Sequence, residues 1–140
     1  MAEFGVTWLD GLMLSMEKIA QLPDEVVDEI LNAQADVTVE AQKAAAKALR
    51  VEDTGLVLRS IKKGRVKVKK GRRVLYITPT GSRKRGRKRV RNAEIAFVNE
   101  FGKRGQKARP FVRTGNESSA RRATEAGMEV YDRWLKSNNL

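Results

Sequence analysis

The chain has 140 residues, 41% apolar and 33% charged, and contains neither cysteine nor histidine. Zinc sites of the Cys/His kind, cysteine nucleophiles, Ser-His-Asp triads and imidazole acid–base chemistry are therefore excluded together. Carboxylates, Lys, Ser/Thr and Tyr remain, and no spacing among them announces a pocket, so an enzyme is not expected and no catalytic, cofactor-binding or metal-ligating residue is assigned.

This length suits one hydrophobic core, and residues 1–140 read as a single domain. No run of about 18 apolar residues occurs, and Glu3 and Asp10 stand where a signal peptide carries positive charge. A soluble chain with no membrane contact is expected, and the lack of cysteine fits a reducing cytosol. Charge is divided along the sequence: residues 1–53 hold 11 acidic against 4 basic side chains, net −7, residues 54–113 hold 2 against 21, net +19, and the rest hold 4 of each. The middle of the chain is thus suited to nucleic acid or to acidic protein surfaces.

Trp8, Leu9, Leu12, Met13, Met16, Ile19 and Ala20 recur at helical spacing behind Thr7, which predicts a short amphipathic helix over 8–21 within an N-terminal helical segment 1–22. Leu22-Pro23 ends it. A long helix follows over 24–50, with Asp24, Glu25, Asp28 and Glu29 loading its first turns as the helix dipole favours. Its alanine-rich C-terminal half implies a close-packed neighbour. Asp53-Thr54-Gly55 breaks the pattern; Gly55 is expected at positive φ where the chain leaves a helix, with Thr54 bonding local backbone.

Val66 and Val68 alternate with Arg65, Lys67 and Lys69, a strand with one wet face. Lys70-Gly71-Arg72 turns the chain, Val74-Leu75-Tyr76-Ile77-Thr78 returns it, and Pro79-Thr80-Gly81 stops it. Seven of the ten residues 82–91 are basic, namely Arg83, Lys84, Arg85, Arg87, Lys88, Arg89 and Arg91, and a long mobile hairpin loop is expected there. Residues 93–101 read as a third strand with Ile95, Phe97, Asn99 and Phe101 on one face. Lys103 and Arg104 fall in a second basic loop. A last helix runs from an Asn116 cap to about Lys136, with Ala120, Ala123, Thr124, Gly127, Met128, Tyr131, Trp134 and Leu135 on its stripe. The expected fold is α+β: N-terminal helices, a small antiparallel sheet of three or four strands over 62–101 carrying the basic loop 82–91, and a C-terminal helix 116–136 packed on the sheet.

Glu100 shares its expected strand face with apolar Ala96 and Val98, which leaves three readings: an ion pair with Arg109, a solvated edge charge, or a subunit contact. Pro110 and Phe111 read as a rigid lead into the last helix with an aromatic anchor, in the core in preference to an interface. Trp8 and Trp134 read as helix-packing residues, with anchoring of a partner as the alternative.

Two stretches carry a resemblance. Thr54-Gly55-Leu56-Val57-Leu58-Arg59-Ser60-Ile61 follows the long helix, and Val98-Asn99-Glu100-Phe101-Gly102 with Ala108-Arg109-Pro110-Phe111-Val112 precedes the last one. In order and spacing, over about residues 24–136, the chain resembles the minor tail, tail-completion and head-tail joining proteins of long-tailed bacteriophages. The resemblance makes Thr54, Gly55, Ser60, Glu100, Phe101, Gly102, Arg109, Pro110 and Phe111 structural motif residues. Val57 replaces the usual Leu, Lys103 stands where Thr often follows Glu-Phe-Gly, and 82–91 looks like an extension.

The resemblance implies a structural subunit of the virion, forming a ring at the neck or tail end, made in the host bacterial cytoplasm. Its implied partners are the connector or adaptor, the tail terminator or tail-tube proteins. The charge map adds self-association: a free chain that is largely monomeric and closes head to tail into a ring on its virion partner. The alternative is a small basic nucleic-acid-binding module. Its contacts, and any with packaged DNA, are expected at Arg83, Lys84, Arg85, Arg87, Lys88, Arg89, Arg91, Lys103 and Arg104. No aromatic interrupts the run 82–91, so such binding is expected to be blind to sequence and sensitive to salt.

Overall fold

The computed structural model describes residues 22–51 and 54–138, so the helix expected over 8–21, with Trp8, lies outside the described residues. The fold is α+β, and its frame is a pair of long helices. Helix α1, Asp24–Ala48, opens behind Pro23 with Asp24 and Glu25 in its first turn, where carboxylates complement the dipole. It ends in a Schellman-type cap: Arg50 takes φ 53°, its N–H bonds the Lys47 carbonyl at 3.2 Å and the Val51 N–H bonds the Ala46 carbonyl at 3.1 Å. The left-handed residue that releases the chain is therefore Arg50. Gly55 instead lies inside helix α2, Thr54–Ser60, so the turn expected at Thr54-Gly55 is a correction: the chain has already turned, and these residues start a new helix.

Three antiparallel ladders follow, organised as two hairpins. Strands β1 (Ile61–Lys63) and β4 (Ile77–Pro79) pair with Ile61 opposite Pro79, and inside them β2 (Lys67–Lys69) pairs with β3 (Arg72–Val74), Lys67 opposite Val74. The Gly64 N–H bonds the Tyr76 carbonyl at 2.7 Å. Between that bond and the inner ladder, Arg65 and Val66 face Leu75 alone, a bulge that shifts the register by one residue and swings the tip away from its root. The tip turns on Lys70 and Gly71, φ 50° and 76°, both left-handed as a type I′ turn requires. The hairpin expected from Val66 to Thr78 is thus present, but interrupted.

Residues 82–91 are not a loop. They form β5 (Ser82–Arg85) and β6 (Lys88–Arg91), paired Arg85 to Lys88 across Gly86-Arg87, with Gly86 at φ 63°. High charge forbids burying a face, yet a two-stranded ribbon needs none along most of its length once its root is anchored. That anchor is Val90, half-buried against the core. The expected single sheet of three or four strands is accordingly three separate two-stranded ladders.

The third strand expected over 93–101 is helix α3, Asn92–Phe101. Its buried residues are Ile95, Ala96 and Asn99, spaced one and four, which is a helical face. Alternation of Ile95, Phe97, Asn99 and Phe101 had suggested period two, but only two of these four are buried. Helix α4, Phe111–Ser137, begins five residues before the expected Asn116 cap. It runs antiparallel along α1, its main packing partner: Asn116 accepts a 2.9 Å hydrogen bond from Gln42 Nε2, and Arg133 lies 3.7 Å from Glu29. The helices approach so closely that a Cβ on Gly115 would stand 2.6 Å from Gln42 Cα. This contact answers the alanine-rich half of α1. The core gathers where α1 ends, from Val39, Ala45, Ala46, Val51, Val57, Ile61, Ile95, Ala96 and Phe111.

Candidate interaction surface

Six of the nine motif residues, Glu100, Phe101, Gly102, Arg109, Pro110 and Phe111, meet at one elbow between α3 and α4, while Thr54, Gly55 and Ser60 lie in α2. Gly102 leaves α3 at φ 76°, and a Cβ there would meet the Ala108 nitrogen at 2.8 Å and the Gln106 carbonyl at 2.9 Å, so only glycine fits. The chain then makes a small turn, with Lys103 and Gln106 exchanging backbone bonds of 3.1 and 2.9 Å. Pro110, φ −76° and ψ 70°, centres an inverse γ-turn closed by the Phe111 N–H on the Arg109 carbonyl at 2.8 Å. Phe111 is fully buried, the anchor that its position suggested.

Glu100 and Arg109 do not pair. The Glu100 carboxylate accepts the N–H groups of Val112 and Arg113 at 2.8 and 3.0 Å. It therefore caps the first turn of α4 from a neighbouring helix, where unsatisfied donors and the dipole both favour an anion. Arg109 Nη1 donates to the Arg50 carbonyl at 2.6 Å and so holds the left-handed residue that ends α1. Sequence proximity suggested the pair; three elements meeting at the elbow gave each side chain a better backbone partner. Ser60, buried, donates to the Val57 carbonyl at 2.7 Å, and its own carbonyl accepts from the Thr80 N–H at 2.8 Å. It locks α2 to the end of β4.

The basic candidates divide into two groups at opposite ends of α3. The β5–β6 ribbon delivers the first. Lys84, Arg85, Arg87, Lys88, Arg89 and Arg91 are exposed, whereas Arg83 is half-buried at the root and donates to Asn92 Oδ1 at 3.2 Å. Arg89 reaches Ser82 across the ribbon at 2.9 Å and Arg91 reaches Glu94 at 3.3 Å. Strand alternation puts Lys84, Arg89 and Arg91 on one face. Lys103 and Arg104, both exposed, sit in the elbow turn with Lys107. Ten helical residues separate the groups, about 15 Å along the axis.

Between them stand Phe97 and Phe101, 63% and 67% exposed, their rings 4.8 Å apart at 49°. These are the residues that reading α3 as a strand obscured. Their i, i+4 spacing was the available signal. On the β2–β3 tip, Lys69 lies 5.0 Å from the ring of half-exposed Tyr76.

Part of the opposite charge is spent within the chain. Arg73 on β3 binds Asp28 through two bonds of 2.5 and 2.7 Å and lies 3.6 Å from Asp24; Lys63 meets Asp36 at 2.8 Å. The Arg73 hydrogen bond holds the Asp28 carboxyl below its ordinary value. Among the described residues, no cluster of three or more carboxylates could hold a metal ion, and no helix is long and apolar enough to cross a membrane. Comparison with family models, with curated proteins and with solved structures finds no match for this chain.

Proposed function

We propose that this chain is a non-enzymatic structural subunit of a tailed-phage virion, used in a ring at the head-tail junction or tail end, with connector, tail-terminator or tail-tube proteins as partners. The observation that carries the reading is the elbow. The second of the two stretches that make the sequence resemble head-tail joining and tail-completion proteins supplies the residues that build it, Glu100, Gly102, Arg109, Pro110 and Phe111. Their work is to hold α3 at a fixed angle to α4, with Phe97 and Phe101 facing outward. Such residues set a surface, as an assembly subunit needs, and they gather no reactive group.

Electron microscopy and co-sedimentation of the purified chain with isolated tails and with connector-bearing heads test this reading. Retention at the neck or tail end is expected. A chain that ignores both particles overturns it.

A second reading, a sequence-blind nucleic-acid module, draws on the exposed cations of the β5–β6 ribbon. It requires DNA affinity that falls steeply with salt, since each phosphate neutralised releases counterions. Retention of DNA from about 50 to 200 mM salt would count against it.

A further inference from the structure

Helix α3 has buried one face in the core and leaves Phe97 and Phe101 in water on the other. Apolar rings gain by leaving water, so two adjacent exposed rings form a surface suited to a partner. The surface has a cationic frame. Arg89 and Arg91, the latter beside exposed Glu94, stand at one end of α3, and Lys103, Arg104 and Lys107 at the other, all exposed. A partner that fits it presents an apolar stripe on an acidic segment.

The chain contains such a segment. Residues 8–21 carry Asp10 and Glu17 against Lys18, with Glu3 shortly before them, and Trp8, Leu12, Met16 and Ile19 fall on one stripe at helical spacing. The route from this segment to its own α3 is long. It joins the described chain at Leu22, at the start of α1, whereas α3 shares its core with Val39, Ala45, Ala46 and Val51, in the second half of α1 and just beyond its other end. Twenty-five helical residues separate those ends, about 37 Å, and a helix over 8–21 would span only about 21 Å.

We infer that the amphipathic segment 8–21 of one copy docks on the Phe97–Phe101 pair of a neighbouring copy, joining copies head to tail. The inference rests on the self-associating subunit proposed above and names the contact it uses. Contacts of this heterologous kind close into rings when the rotation between copies allows. The ring is then held by a segment that each copy lends to the next.

Disulfide trapping tests it cleanly, because the chain has no cysteine of its own. Ser15→Cys borders the apolar stripe, and Ala93→Cys lies one exposed turn before Phe97, leaving both rings intact. Mild oxidation of the full chain carrying both substitutions, free and bound to isolated tails, is expected to give a ladder of two, three and more chain masses. Adding Phe97→Ser and Phe101→Ser, both at exposed positions, should remove the ladder, and moving the second cysteine to exposed Arg121 on α4 should give none. A bond closed within one chain, or no bond in either condition, overturns the inference. A ladder from a chain that ignores tails and connectors leaves the docking standing and removes the virion reading. Tail binding with only an intrachain bond does the reverse.

Discussion

Replacing Glu100 measures how much the elbow depends on a cap borrowed from another helix. Glu100→Ala leaves the N–H groups of Val112 and Arg113, now bonded at 2.8 and 3.0 Å, without their carboxylate. A charged hydrogen-bond acceptor contributes about 1.5–3 kcal/mol, and removing a helix N-cap costs about 0.5–2 kcal/mol. The two bonds share one carboxylate and are not independent, so about 2 kcal/mol is expected, a fall in Tm of about 6–8 °C for a chain of this size. Glu100→Gln keeps one acceptor oxygen and loses the charge, and should fall by roughly half as much. Glu94→Ala is the control, because Glu94 meets Arg91 at 3.3 Å with both side chains largely exposed, and surface pairs contribute little. Circular dichroism melting gives the Tm, and hydrogen exchange should show lost protection at Val112 and Arg113. If Glu100→Ala melts within a degree of Glu94→Ala, the carboxylate is not a cap.

Other outcomes follow from the packing. Gly115→Ala places a methyl against Gln42 backbone and should cost about 1–3 kcal/mol in urea denaturation, whereas at Gly127 the obstacle is the Gln34 side chain, which can swing aside, so Ala there should be near neutral because it also gains about 1 kcal/mol of helix propensity. Asp28→Asn probes pH: because Arg73 lowers the folded-state pKa, the ion pair adds stability above the ordinary aspartate value and loses it as pH falls through the depressed one. Parent and variant melting curves should therefore differ at neutral pH and converge in acid, and a gap that persists in acid would contradict the assignment. For the basic ribbon, replacing residues 85–88 with Asn-Gly should leave the Tm almost unchanged, whereas Val90→Ser, at a side chain packed on the core, should cost about 1 kcal/mol.

The legibility of this sequence varied with how local each signal was. Helix α1 was plain because an acidic first turn and a sustained apolar period agree over 25 residues. The β2–β3 hairpin was plain because Lys70-Gly71 is a strong turn signal between alternating residues. Helix α3 was not, since Ile95, Phe97 and Val98 favour strands and the sequence does not reveal that Ile95, Ala96 and Asn99 share a core. The start of α4 was misplaced for a related reason: Thr114 and Gly115 are weak helix formers, and the cap that lets the helix begin at Phe111 comes from Glu100, eleven residues earlier. In residues 82–91 composition masked structure, because a ribbon with one anchored root can carry charge on nearly every side chain.

The antiparallel pairing of α1 with α4 also bears on how the chain reaches this fold. Both hairpins, α2, α3 and the elbow lie in one excursion between Leu49 and Pro110, the residues that flank the two long helices. Its hairpins are local and can form within microseconds, as isolated hairpins do. Bringing Gln42 to Asn116 closes a span of 74 residues, at an entropic cost of about 4 kcal/mol before any gain from packing. Docking of the long helices is thus expected to be the slow, late step. The tight contact at Gly115 belongs to that step, so a bulkier residue there should slow folding as well as weaken the folded state. Changes at the tip of the β5–β6 ribbon, far from the closing contact, should leave the folding rate untouched.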